Sequence, residues 1–186
     1  MIIHYKMLKI YDEYKKYGVK NYYKLHNKQY FNPHLNKIEI LYQKYLIELV
    51  DINTSIIDIA CGDGLIAQLA IKYNNNRYVE GTDPYFNNKY TKYNYSFEDI
   101  AIGLLEKSYD VAICCYAYHL IDSGWEFDFL NQLASLAKKF IIITPSKKIR
   151  INHPAWSTIK ELRDDKITLI ILQSTFLNES IDSRFT

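Results

Sequence analysis

Ile56-Ile-Asp-Ile-Ala-Cys-Gly-Asp-Gly-Leu-Ile-Ala67 decides the fold of this chain. Its first half is a short run rich in β-branched residues, which predicts a buried strand over 55–61. Gly62 and Gly64 follow with one residue between them, as happens where backbone takes positive φ or closely approaches a ligand. Helical periodicity then resumes over 65–73. A strand, a glycine turn and a helix in direct succession aim the first helical amides at the strand's carboxyl end. The spacing Gly62-x-Gly64-x-x-Ala67 also satisfies a dinucleotide fingerprint. Two features weigh against that reading. Asp63 lies inside the turn, where a pyrophosphate would sit, and its carboxylate would repel phosphate. A helical segment of about fifty residues also precedes the strand, whereas dinucleotide domains often begin near it.

Downstream, a second strand over 77–83 ends at Asp83, 19 positions after Gly64. An acidic residue about 20 positions on, at a strand's end, is placed to bind ribose hydroxyls. The plainer alternative is that Gly81-Thr-Asp-Pro84 is only a turn. A weak third strand is expected over 93–96, a helix over 98–107 and a fourth strand over 110–115. A helix over 126–139 carries Leu130, Leu133 and Leu136 on one face, and a fifth strand covers 140–144. Strands alternating with helices predict a mostly parallel sheet with helices on both faces, wound by right-handed crossovers. The tail reads as an antiparallel hairpin, 156–162 and 167–174 around a polar turn. A helix over 155–163 competes, but 167–172 is too rich in strand formers.

Upstream, a periodic helix over 5–16 stops at Gly18, a short helix is expected over 22–26, and Asn32-Pro33 is a helix-start signal. From there Leu35, Ile38, Tyr42, Tyr45 and Leu49 recur at helical spacing. The expected architecture is a Rossmann-like, doubly wound α/β fold in one domain, 1–186. Residues 1–50 would form an N-terminal helical cap and 51–186 the core.

The composition fits such a domain: 186 residues, 48% hydrophobic and 24% charged. Lys+Arg is 23 and Asp+Glu 21, a formal net charge of only +2, so charge gives no sign of a nucleic-acid partner. The pairs Lys15-Lys16, Lys138-Lys139 and Lys147-Lys148 read as solvated helix ends and loops. Cys61, Cys114 and Cys115 match no zinc spacing, and no metal site is expected. They point to a reduced, intracellular and cytoplasmic protein. The N-terminus is too polar for a signal peptide, and no apolar run approaches the roughly 20 residues that span a bilayer. The 18 tyrosines fit an A/T-rich coding sequence and carry no argument by their number.

Asp58-Ile-Ala-Cys-Gly-Asp-Gly64, Gly81-Thr-Asp83 and Tyr109-Asp-Val-Ala-Ile-Cys-Cys-Tyr-Ala-Tyr-His119 resemble successive motifs of the class I S-adenosylmethionine-dependent methyltransferases, over about residues 50–145. Tyr22-Tyr23 and Tyr30-Phe-Asn-Pro-His34 resemble the lead-in of a small, poorly characterised group of them. The resemblance implies S-adenosyl-L-methionine as cofactor and S-adenosyl-L-homocysteine as product. It implies that Asp58, Ala60, Gly62 and Gly64 hold the methionine end and that Asp83 grips the ribose. Pro84 and Tyr85 would flank the adenine, and Phe97, Glu98 or Asp99 would meet its edge. Cys115 and Tyr116 would line the reacting centre, with His119 one turn later.

Methyl transfer is an in-line displacement that disperses the charge on sulfur, so it needs a base only where the nucleophile must lose a proton at that step. His119 and His34 are the candidate bases because histidine titrates near neutrality; packing or surface positions are the competing readings. His153 ranks below them. Tyr22, Tyr23, Tyr30 and Trp156 are read as helix packing before an aromatic acceptor wall, and Cys114 and Cys115 as small buried residues before a methyl-accepting thiol. The Asn/Asp-Pro-Pro-aromatic run of base-amine methylating enzymes is absent, since Cys115-Tyr-Ala-Tyr118 stands there. A lysine-aspartate-lysine-glutamate set for ribose methylation is also absent. The expected activity is methyl transfer to an unidentified acceptor, with a small molecule favoured. RNA or protein acceptors, a catalytically silent methyltransferase-like subunit and a nicotinamide oxidoreductase are the rivals.

Overall fold

The computed structural model describes residues 16–18, 21–22, 34–145, 149–164 and 167–177. The decisive stretch forms the centre of a seven-stranded sheet. β1 (Ile56–Ile59) pairs in parallel with β2 (Val79–Thr82) on one side and with β4 (Tyr109–Cys115) on the other. β3 (Thr91–Tyr93) extends the β2 side, and β5 (Ala137–Thr144) the β4 side, again in parallel. β6 (Trp156–Asp164) forms the far edge, and β7 (Ile167–Ser174) returns between β5 and β6, antiparallel to both. The order is β3-β2-β1-β4-β5-β7-β6. The chain winds outward from β1 in one direction, then restarts at β4 in the other, which opens a crevice at the carboxyl ends of β1 and β4.

Both sheet faces are covered. Ile57, Ile59, Ala112 and Phe140 face a cluster with α3 (Phe97–Ala101) and α4 (Glu126–Leu136), including Ile100, Phe129 and Leu133. Their neighbours Ile56, Val111, Ile113 and Ile141 face α1 (Leu35–Leu41) and α2 (Leu65–Asn74), through Ile38, Leu41, Ile66 and Leu69. Successive strand residues point to opposite faces and both are buried, hence the continuous apolar runs in the sequence.

Four boundaries differ from the sequence reading. The third strand ends at Tyr93, because Ser96 caps α3: its hydroxyl accepts from Asp99 N, and Asp99 Oδ2 accepts from Ser96 N. That helix is short and gives way to Gly103 at φ 91°. α4 stops at Leu136 and β5 starts at once, since Lys139 pairs in register with Val111 and Lys138 forms a 2.7 Å ion pair with Asp110. α1 runs into a π-helical turn, Tyr42–Leu46. The fully buried Tyr42 there donates to Asn74 Oδ1, and Asn74 Nδ2 donates to the Ile47 and Val50 carbonyls. Side-chain periodicity does not distinguish that turn from regular helix. α1 is assigned from Leu35 with His34 at the N-cap. Asn32 and Pro33 lie outside the described residues, as do most of the helices expected over 5–16 and 22–26. The C-terminal hairpin forms as expected.

Candidate active site

A cavity of about 740 Å³ lies over the carboxyl ends of β1, β2 and β4. Its floor is the turn after β1, where Ala60, Gly62 and Gly64 take φ of 56°, 53° and 79°. One side is the loop after β2 and the start of α3. The other is the exit from β4, where Tyr116 takes φ 59° and its N–H donates to the Ile143 carbonyl at 2.7 Å. Ala60 and Tyr116 are non-glycine residues in the left-handed region, a conformation costing roughly 1–2 kcal/mol each. Both stand on the cavity wall, the setting in which such strain is usually kept.

Asp83 ties floor to side. Its Oδ2 accepts from Gly62 N at 3.0 Å, and its Oδ1 accepts from Tyr85 N and Phe86 N at 2.8 and 3.0 Å. Asn88 adds a second tie, donating to the Gly62 carbonyl at 2.7 Å. Burial raises the Asp83 carboxyl above the ordinary range despite these amides. Asp58 differs: it is 2% exposed, lines the cavity and has no hydrogen-bond partner among the described residues. Burial, then the charges of Asp83 and Asp63, raise its carboxyl well above the usual carboxylate range. Burial also raises Asp63. Three acids that would shed charge for lack of a counter-ion thus meet at one end of the cavity.

No protein-family model and no curated protein matches this chain. Solved structures do. The S-adenosylhomocysteine-bound magnesium protoporphyrin IX methyltransferase of Synechocystis PCC 6803 is similar over 91% of this chain and 100% of that one, at TM-score 0.56 and 13% identity. An rRNA methylase from Escherichia coli is similar over 76% and 65%, at TM-score 0.53 and 15% identity. An O-methyltransferase family protein from Burkholderia thailandensis is similar over 76% and 58%, at TM-score 0.53 and 12% identity. This is the class I methyltransferase fold.

Within that methyltransferase fold, Asp58, Ala60, Gly62, Asp83, Pro84, Phe97, Glu98, Asp99, Cys115 and Tyr116 all line the cavity. Gly64 does not line it. It is the N-cap of α2, and a Cβ there would meet the Tyr90 ring at 2.5 Å. His119 sits on the 3₁₀ turn Tyr118–Leu120 and is exposed; its neighbours Ala117 and Leu120 reach the wall and it does not. His34 stacks on Tyr116, ring centroids 4.3 Å apart, and so backs the wall. His153 is buried elsewhere: its Nδ1 accepts from Ala155 N and its ring lies against Phe127. Trp156 packs in the core and donates to the Leu130 carbonyl at 2.8 Å, so it is no part of an aromatic wall. Tyr22 is buried, and Tyr23 and Tyr30 lie outside the described residues. Cys114 is in the core, while Cys115 faces the cavity with its thiol pushed up by burial. Among the wall residues the sequence reading missed are Phe86, Tyr95, Ser96, Ala117, Leu120 and Asp122. The one available signal was Asp122-Ser-Gly124, which reads as a turn and not as a wall. No described helix is long and apolar enough to cross a membrane.

Proposed function

We propose that this protein is an S-adenosylmethionine-dependent methyltransferase that holds its cofactor in the cavity above β1, β2 and β4. The observation that carries the reading is Asp58, an unpaired carboxyl 2% exposed beside two further acids. Burying such a group is costly unless a cation meets it. S-adenosylmethionine brings an ammonium and a sulfonium and no phosphate, whereas a dinucleotide would bring two phosphates against Asp63. When bound, the cofactor supplies a sulfonium-activated methyl group and leaves as S-adenosylhomocysteine.

In this reading Asp58 and Asp63, with the backbone at Ala60 and Gly62, hold the methionine end, and Gly64 shapes the turn from behind as the N-cap of α2. Asp83 spends three of about four lone-pair sites on backbone amides and keeps one for a ribose hydroxyl. Pro84 and Tyr85 flank the adenine, and Phe97, Glu98 and Asp99 meet its edge. Cys115 and Tyr116 line the reacting centre. The chain's work there is to position the acceptor and exclude water. His34, stacked behind Tyr116, and the exposed His119 are the candidate bases, but neither lines the cavity, so either would act on an acceptor only through solvent; a small-molecule acceptor is favoured.

A thermal-shift comparison tests the reading. S-adenosylhomocysteine should raise the melting temperature by mass action, and NADH should not. Stabilisation by NADH with none by S-adenosylhomocysteine would overturn it. Binding without transfer of labelled methyl to metabolite, RNA or protein pools would favour a silent subunit.

A further inference from the structure

The cavity wall carries six carboxyl groups, Asp58, Asp63, Asp83, Glu98, Asp99 and Asp122, and no described lysine, arginine or histidine. The fold itself uses two of them, Asp83 on three backbone amides and Asp99 in the capping box. Asp58 faces the cavity buried and unpartnered. S-adenosylmethionine carries a net charge of about +1 and leaves part of this negative potential unbalanced.

Asp122 stands apart from the others by position. It follows the 3₁₀ turn after β4, on the wall with Tyr116, Ala117 and Leu120. The residues placed above at the ribose and adenine follow β2 and β3, on the other side of β1. Asp122 is exposed, its Oδ1 accepts from Gly124 N at 2.8 Å, and no described cation pairs with it.

We propose that the methyl acceptor is a small amine, cationic in solution, which Asp122 and the acidic wall draw in and orient beside Tyr116. The proposal rests on the methyltransferase reading above. It runs against RNA and other phosphate-bearing acceptors, whose phosphates the carboxyls of this wall would repel. An ammonium has no lone pair, so it first releases one proton to water at the open mouth. The amine lone pair then forms the N–C bond as the C–S bond breaks, and that bonding pair stays on sulfur. The products are an N-methylammonium and S-adenosylhomocysteine, with one proton released per turnover. Asp122 accepts a hydrogen bond from the remaining N–H and fixes the approach.

The test is calorimetry on protein first saturated with S-adenosylhomocysteine. Benzylammonium chloride, which pairs an ammonium with a ring suited to a tyrosine-lined wall, is titrated into the wild type and Asp122→Asn. A single-stranded RNA oligonucleotide is titrated in parallel. Benzylammonium should bind the wild type, and about fivefold more weakly the variant, the scale of one exposed charge pair. The RNA should bind neither. With S-adenosylhomocysteine bound, three results would each overturn the amine proposal alone: RNA binding, no binding of benzylammonium, or equal affinity in both proteins. Failure of S-adenosylhomocysteine itself to bind the wild type would take down the methyltransferase reading as well.

Discussion

Asp58 and Asp83 are both acids at strand ends, yet the fold treats them oppositely. Asp83 is wrapped by three amides that staple two loops. Asp58 has none, and its raised pKa has consequences for stability. In the folded state it holds a proton that the unfolded chain gives up near its ordinary value of 3.8. Its contribution to stability is therefore complete below that pH and is lost as pH rises through the raised value. Asp58's own share of the ligand-free protein's stability should fall as pH is raised from about 4 toward neutrality, while His34, His119 and His153, whose pKa values burial lowers, work the other way. Asp58→Asn should lose less over the same window and be more stable than wild type at neutral pH by about 1–3 kcal/mol in urea unfolding. An Asn variant no more stable than wild type would mean the carboxyl is not short of a partner. Both acids were visible in the sequence, because a glycine turn after a strand and an acid 19 positions later are local patterns. Which acid is satisfied was not visible, since the Gly62 N–H that Asp83 captures is 21 residues away along the chain.

The elements were legible where burial repeats and illegible where single hydrogen bonds set an end. β1, β4, β5 and β7 announced themselves by their apolar runs, because both sheet faces are covered there, whereas β6 is polar and mostly exposed. The third strand slipped by two residues because the Ser96–Asp99 capping box claims the approach to α3. α4 lost its last expected turn to strand pairing at Lys139, a tertiary contact that helical periodicity cannot report. The cap matters to the site, since Ser96, Phe97, Glu98 and Asp99 are one stretch of its wall. Ser96→Ala should cost about 1 kcal/mol of stability in denaturant unfolding. It should also weaken S-adenosylhomocysteine binding by loosening that stretch. Unchanged stability would show that the reciprocal bonds do not hold the helix start.

At the scale of the whole molecule, the strand order turns a string of local motifs into a site. The β1 turn, the β2 loop and the β4 exit are distant in sequence, and they meet because the chain reverses its winding between β1 and β4. Alternation of strands and helices made this topology legible. The far wall at Leu120 and Asp122 was not, because nothing in a short turn shows which way it faces. The same topology leaves the cavity lined by acids, and the central claim is that this acidity is matched to a cationic sulfonium nucleoside. The most direct test is the calorimetric Kd of S-adenosylmethionine at neutral pH for wild type and Asp58→Asn. S-adenosylmethionine should bind the wild type, and at least about tenfold more weakly the variant, the worth of roughly 1.4 kcal/mol lost at one buried charge contact. Equal affinity in the two proteins, or no binding to the wild type, would contradict it.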